Sequence, residues 1–267
     1  MANNSLQWLD GIPWISSASA FPAAARELDA LDWPGEFILS PELSAVMVCA
    51  ATQAGFMPMS AVFTVAEGVE RAFFTPKLHT LRCLLSPGQV HVSRTARRQA
   101  AVYTMSLDRD FPAVLQHCIA VHGQGWLTPD LCSVFLQLQQ HQQLPRQFDD
   151  GMFAGDSPAI ADRVLQLVSV ELWKDAELAA GELGYRIGSV YTSLSGFYLV
   201  PGAGTVQLTL LGGLLANAGC RLWDLGMPMA YKQNLGGSLL PRREYLPLLQ
   251  EAYARPAFEL AGLTTEL

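Results

Sequence analysis

Apolar and polar positions along the chain mark several helices. Leu43, Val46, Met47, Ala50, Ala51 and Ala54 recur at helical spacing, with Ser40-Pro41 as N-cap and first turn and Gly55 placed to end the helix. Asp110 is positioned to cap a second helix, which gathers Phe111, Val114, Leu115 and Cys118 on one face and stops at Gly123. Thr128-Pro129-Asp130 opens a third, with Leu131, Val134, Phe135 and Leu138 in phase. Thr205 to Ala218 is apolar nearly all round, which predicts a buried helix closed by Gly219. Pro241 to Tyr253 reads as helical, with Pro247 straining its interior.

Strand patterning differs. Ala101, Tyr103, Met105 and Leu107 alternate with Val102, Thr104 and Ser106. Val168 to Trp173, a turn at Lys174-Asp175-Ala176, and Glu177 to Ile187 predict a β-hairpin, followed by a strand over Gly188 to Thr192 and a short one at Arg221 to Leu225. Between Gln139 and Gln166 the run is polar with Gly and Pro, and is expected to be an inserted surface loop. The C-terminal half therefore runs hairpin, strand, buried helix, strand, helix. That order predicts an α+β fold with a mixed sheet flanked by helices, in which an acyl donor would sit at a splayed strand pair. It resembles the N-acetyltransferase-like superfamily.

The chain has 267 residues, enough for one large domain or two modest ones. Half of its residues are hydrophobic and only 15% are charged, which excludes a disordered or coiled-coil chain. A net charge of −7 excludes a globally basic nucleic-acid coat but leaves room for a local basic patch. Phe197 to Ala218, the most apolar stretch, is broken by Pro201 and four glycines, so no membrane span is expected. The opening run MANNSLQWLDG has neither a basic n-region nor an apolar h-region, so no secretory leader is expected and the protein is placed in the cytoplasm. Five cysteines without CxxC spacing read as buried reduced thiols, and the histidine spacing offers no metal site.

Several residues could carry chemistry, each beside a plainer reading. Gly202 and Gly204, in Val200 to Thr205 ahead of a helix, could present backbone amides to an acyl-CoA pyrophosphate or form a simple tight turn. Arg94, Arg97 and Arg98 cluster within His91 to Arg98, as a phosphate-binding patch or a solvated helix start. Trp126 sits just before a helix cap and could stack a base or plug the core. Asp224 ends a strand, where a carboxylate can orient or deprotonate a nucleophile or cap a loop. No nucleophile-elbow motif supports a serine or cysteine triad.

Together these segments resemble one family. Leu39-Ser-Pro-Glu42 and Ala54-Gly-Phe-Met-Pro58 are similar to the bacterial signature "LSP…AY…GIFPW", and Gly125-Trp-Leu-Thr128 to "GTWIT". The run from Val170-Glu-Leu-Trp173 through Leu183-Gly184, Gly188, Asp224 and Leu235-Gly236 to Pro241-Arg-Arg-Glu-Tyr-Leu246 resembles the leucyl/phenylalanyl-tRNA–protein transferases. The resemblance implies an N-terminal domain over 1–70 and an acetyltransferase-like domain over 71–267 with the insertion near 139–166. It implies transfer of Leu or Phe from the acceptor end of an aminoacyl-tRNA to the N-terminal α-amine of a protein or peptide, without a metal or other cofactor.

Carried over residue by residue, the family's strand-end Asp is Asp224, an adenosine-stacking Trp is Trp126, an aromatic of the amino-acid pocket is Tyr191, and the basic segment is His91 to Arg98. Leu194, Phe197, Leu208 and Leu211 are expected to line the pocket, the last two by helix phase. The chain departs from the pattern at Met59 for a second stacking Trp, Gly226 for a Gln, Leu194 for a Glu, and Tyr231 for a His. These losses point to a divergent, weak or re-specified transferase. An acyl-CoA-dependent N-acyltransferase and a non-catalytic binding relative remain as alternatives.

Overall fold

A computed structural model describes residues 6–140 and 164–260. The N-terminal part holds two antiparallel pairs, β1 (Gln7–Leu9) with β2 (Ile12–Trp14) and, after α1 (Phe21–Ala30) and α2 (Ala45–Gln53), β3 (Ser60–Ala66) with β4 (Val69–Phe74). This second hairpin straddles residue 70. Next come β5 (Leu81–Leu85), α3 (Arg94–Ala100), β6 (Thr104–Leu107), α4 (Phe111–His122), α5 (Pro129–Gln140), β7 (Gln166–Lys174), β8 (Glu177–Ile187) and β9 (Val190–Tyr198). The chain closes with α6 (Ala203–Asn217), β10 (Leu222–Asp224), α7 (Ala230–Asn234), β11 (Ser238–Pro241) and α8 (Arg242–Tyr253).

Seven strands form one mixed sheet in the order β11-β5-β10-β9-β8-β7-β6. Every neighbouring pair in it is antiparallel except β9 and β10, which run parallel with α6 as their crossover. The α+β class and the helix–strand order read from the sequence are both present. The β7–β8 hairpin turns through Asp175 and Ala176, both at positive φ (49° and 68°), as a two-residue hairpin turn matched to strand twist requires. From Ala179 to Tyr185 every residue of β8 is buried, because helices cover both faces of the sheet there. Gln207 of α6 reaches one face of β8, whereas Leu183 and Tyr185 share an apolar cluster with Val114 and Leu115 of α4 on the other.

Local chemistry explains most boundaries. Asp110 accepts from Ala113 N (3.1 Å) and Gly123 ends α4 at φ 74°, as the pattern predicts. The cap of α2 is Ser44, not Ser40. Ser44 Oγ accepts from Met47 N (3.4 Å), whereas the Ser40 backbone pairs with Phe74 (2.8 and 3.0 Å) and holds Pro41 outside the helix. β9 runs six residues past the predicted Thr192, because β8 continues to pair with it through Tyr198. β6 begins only at Thr104, since Ala100 to Tyr103 turn out of α3. Of the expected insertion, residues 141–163 lie outside the described residues. All five cysteines are free thiols, and burial raises Cys118 to about 11 and Cys220 to about 12. Among the described residues no helix is long and apolar enough to cross a membrane.

Candidate functional site

The fork between β9 and β10 organises the site. The two strands pair only through Val190–Leu222, Tyr191–Trp223 and Thr192–Asp224, and then part. β9 continues to Tyr198 while β10 gives way to the Leu225–Met227 loop. Residues of opposite parity face opposite sides of the sheet, and each side of the fork carries a buried polar system.

On the α8 side, Asp224 is wholly buried. Its Oδ2 lies 3.2 Å from Nη1 of the equally buried Arg82, and its Oδ1 accepts from Gly226 N at 2.9 Å. Arg82 stacks over the Tyr245 ring (4.8 Å) and meets His79 Nδ1 at 3.3 Å. Burial pushes the Asp224 carboxyl above its ordinary range, with Arg82 pulling the other way, and burial also pushes His79 down. Asp224 therefore sits at the strand end, as expected, but behind the fork, fixing the loop that follows it.

On the α6 side, the carboxylate of Glu182 accepts three hydrogen bonds. Ser193 Oγ (2.6 Å) and Tyr191 OH (3.0 Å) donate to Oε1, and Gln207 Nε2 (3.2 Å) to Oε2. Ser193 Oγ also receives Trp223 Nε1 at 2.9 Å. Ser193 is the first residue of β9 beyond the last β10 pair, and it is half-buried where Glu182 is closed off. Burial raises the Glu182 carboxyl against the pull of these donors. Sequence reasoning missed Glu182. Its signal was a lone charge inside the otherwise apolar run Leu178 to Gly184, where a carboxylate must be hydrogen-bonded to be buried.

Gly226 faces Ser193 across the fork. A Cβ there would lie 3.9 Å from Ser193 O and 2.8 Å from Met57 Cε, so Met57 fills the space next to the glycine. Lys232 closes the loop, its Nζ donating to Leu225 O and to Met227 O (3.1 Å).

Met57 leads into a second feature. Two residues on, Met59 lines a cleft of about 510 Å³ together with Trp33, Phe37, Phe63 and Trp126. Trp126 O accepts both Ser60 N and Ser60 Oγ at 3.0 Å, which pins the Gly123 to Thr128 loop to β3. An extended chain advances about 3.3 Å per residue, so Met57 at the fork and Met59 in the cleft stand roughly 7 Å apart.

The remaining candidates are placed as follows. Tyr191 is buried against Trp223 with its hydroxyl on Glu182. Leu211 is wholly buried and Leu208 half-buried in the same apolar cluster as Trp223, so helix phase put them in the core and not on an open wall. Phe197 stacks on His117 (4.8 Å between rings), and Leu194 packs half-buried against the α4-side core. Arg94, Arg97 and Arg98 are exposed on α3, which Ser93 caps through Ala96 N (3.1 Å) and which packs on α6. Gly202, at φ 83°, starts α6 with no side-chain cap.

A family model described as "Leucyl/phenylalanyl-tRNA protein transferase" matches residues 160–250. A protein of Laribacter hongkongensis named leucyl/phenylalanyl-tRNA–protein transferase is 26% identical over 251 residues, 92% of this chain and 94% of that one. Among solved structures, the C-terminal domain of a lysylphosphatidylglycerol synthetase from Agrobacterium fabrum aligns with 90% of this chain and 77% of its own (TM-score 0.42, 13% identity). A GCN5-related N-acetyltransferase from Kribbella flavida aligns with 85% and 73% (TM-score 0.36, 14% identity).

Proposed function

We propose that this chain, a divergent member of the leucyl/phenylalanyl-tRNA–protein transferase family, moves an apolar amino acid from a charged tRNA to the N-terminal α-amine of a protein or peptide. The observation that carries the reading is the β9–β10 fork, with an aromatic cleft one short extended step away. The donor's terminal adenosine lies in the cleft against Trp126, and the roughly 7 Å step from Met59 to Met57 brings its aminoacyl ester to the fork. Met59 contacts the base by its flexible thioether, where a second indole would clamp it, so the donor is held less tightly. Arg94, Arg97 and Arg98 meet the acceptor-stem phosphates as local charge on an acidic protein.

The reaction is direct. The acceptor amine attacks the ester carbonyl, and the ribose oxygen leaves with the C–O electron pair. Asp224, locked to Arg82 and Gly226 N, orients the Leu225–Met227 loop and does not touch the amine.

A thermal-shift panel tests the reading: an aminoacyl-adenosine analogue, coenzyme A, and a peptide with N-terminal Arg. Stabilisation by the adenosine analogue, and further by the peptide, is expected. Stabilisation by coenzyme A alone would favour an acyl-CoA-dependent N-acyltransferase working at the uncapped start of α6. Response to the peptide alone would favour a non-catalytic binding protein.

A further inference from the structure

We infer that Ser193 and Glu182 form a proton relay at the mouth of the fork, with Ser193 Oγ contacting the acceptor amine and Glu182 acting through Ser193. The inference rests on the aminoacyl-transfer reading above.

Three observations converge. Where the family pattern has a Gln side chain, Gly226 has none, and a Cβ there would lie behind the Met57 thioether and 3.9 Å from the Ser193 carbonyl oxygen, so position 226 borders the fork close to Ser193. Where the pattern has a carboxylate on β9, Leu194 is apolar and packs toward the α4-side core, while on the opposite face a carboxylate from the next strand stands beside Ser193. Glu182 pairs with Gly196 in the β8–β9 ladder, and the register shift between Leu183 and Gly184 brings its side chain onto Ser193. Finally, Ser193 Oγ has a fixed polarity. Trp223 Nε1 donates to it, so its own proton points to Glu182 and its remaining lone pair is free for an incoming N–H.

The step balances within these groups. The neutral amine's nitrogen pair forms the new C–N bond. The nitrogen proton passes to Ser193 Oγ while the Ser193 proton passes to the Glu182 carboxylate. When the C–O bond breaks, Glu182 returns a proton through Ser193 to the ribose oxygen, and the relay is restored. Burial makes Glu182 a stronger base than an exposed carboxylate, which suits it to hold that proton. The titratable groups that feel its charge are Tyr191 from β9, Lys232 and Tyr231 from α7, and, through the sheet, Cys118 from α4; Lys232 is the cationic one, and burial lowers its affinity for its proton.

The test uses the full chain with Leu-charged tRNA and two acceptors, an N-terminal Arg peptide and hydroxylamine. Hydroxylamine is uncharged at neutral pH, and its adduct sheds a proton to water without help. Glu182→Gln and Ser193→Ala should each slow peptide transfer by about 10²-fold or more, with donor KM unchanged and the base-dependent limb of the pH profile lost. Aminolysis by hydroxylamine should fall by less than about tenfold, and Ser193→Thr should restore peptide transfer. Equal loss with both acceptors would assign Glu182 to packing or donor binding and overturn the relay. Unchanged peptide transfer and pH profile in both variants would overturn it while leaving the transferase reading intact. If the unmodified protein serves neither acceptor, the transferase reading falls and the relay with it.

Discussion

Placing a glutamine at the fork by Gly226→Gln is the obvious attempt to raise activity, and the structure predicts that it fails. Gly226 sits at φ 72°, in the left-handed region, where a residue with a Cβ costs about 1–2 kcal/mol. The new Cβ would lie 2.8 Å from Met57 Cε and 3.4 Å from its Sδ. The thioether end can swing aside, so overpacking adds only the lower part of its usual range, about 1–2 kcal/mol. The expected loss is about 2–4 kcal/mol, read as a shift of the urea midpoint at constant slope. Gly226→Ala carries the same backbone strain and the same Cβ contact without the amide, and should lose nearly as much. Pairing Gly226→Gln with Met57→Ala removes the clash, so the two changes should be coupled favourably by more than about 0.5 kcal/mol. Transfer activity should not rise in the single variant. A Gly226→Gln protein as stable as its parent to within about 0.5 kcal/mol would mean that the loop can flip and that neither the strain nor the Met57 contact holds.

Other outcomes follow from the same geometry. Asp224→Ala leaves Arg82 charged and buried without its partner, and should destabilise by about 3–5 kcal/mol in chemical denaturation. Ser44→Ala should cost about 1 kcal/mol as the loss of a helix cap, through a side-chain bond that Ser40→Ala does not remove. Glu182 binds its proton more strongly folded than unfolded, so its contribution to stability is fully present below its unfolded pKa of about 4.3 and is lost as pH rises through its raised folded value. Glu182→Gln should abolish that dependence, so stability relative to the parent should improve from acid to neutral pH, measured by urea melts across the range. Trp126→Ala should weaken the aminoacyl-adenosine analogue by about 1–3 kcal/mol in calorimetry if the base stacks in the cleft.

What the sequence could reveal depended on whether a signal was local. Asp110, Gly123 and the in-phase residues of α4 and α5 act within one or two turns, and all appear as read. The Lys174 to Glu177 turn was legible although it holds Asp-Ala and not Asn-Gly, because two long strands flank it. β5 and β11 were missed: each is short, and their pairing joins Leu81–Leu84 to Ser238–Pro241, partners more than half the chain apart. Ser40-Pro41 looked like a cap because its true partner, Phe74, is remote in sequence. At the site, strand-end Asp224 and loop-borne Trp126 were visible from their neighbours. The Arg82 pairing that buries Asp224, and the bulge that swings Glu182 onto Ser193, are long-range features with no local trace. Periodicity alone cannot tell a pocket wall from a core wall, and Leu208 and Leu211, read by helix phase, lie in the apolar cluster around Trp223.

On the proposed reading, the fork transfers an amino acid from tRNA to an N-terminal amine. Single-turnover mixing of the full chain with Leu- or Phe-charged tRNA and an N-terminal Arg peptide, followed by mass spectrometry of the peptide, tests it most directly. One added residue on the peptide's α-amine is expected, formed faster than the charged tRNA hydrolyses and absent with an α-acetylated peptide. Hydrolysis of the donor at its spontaneous rate with an unmodified peptide, in folded protein that binds the adenosine analogue, would contradict it.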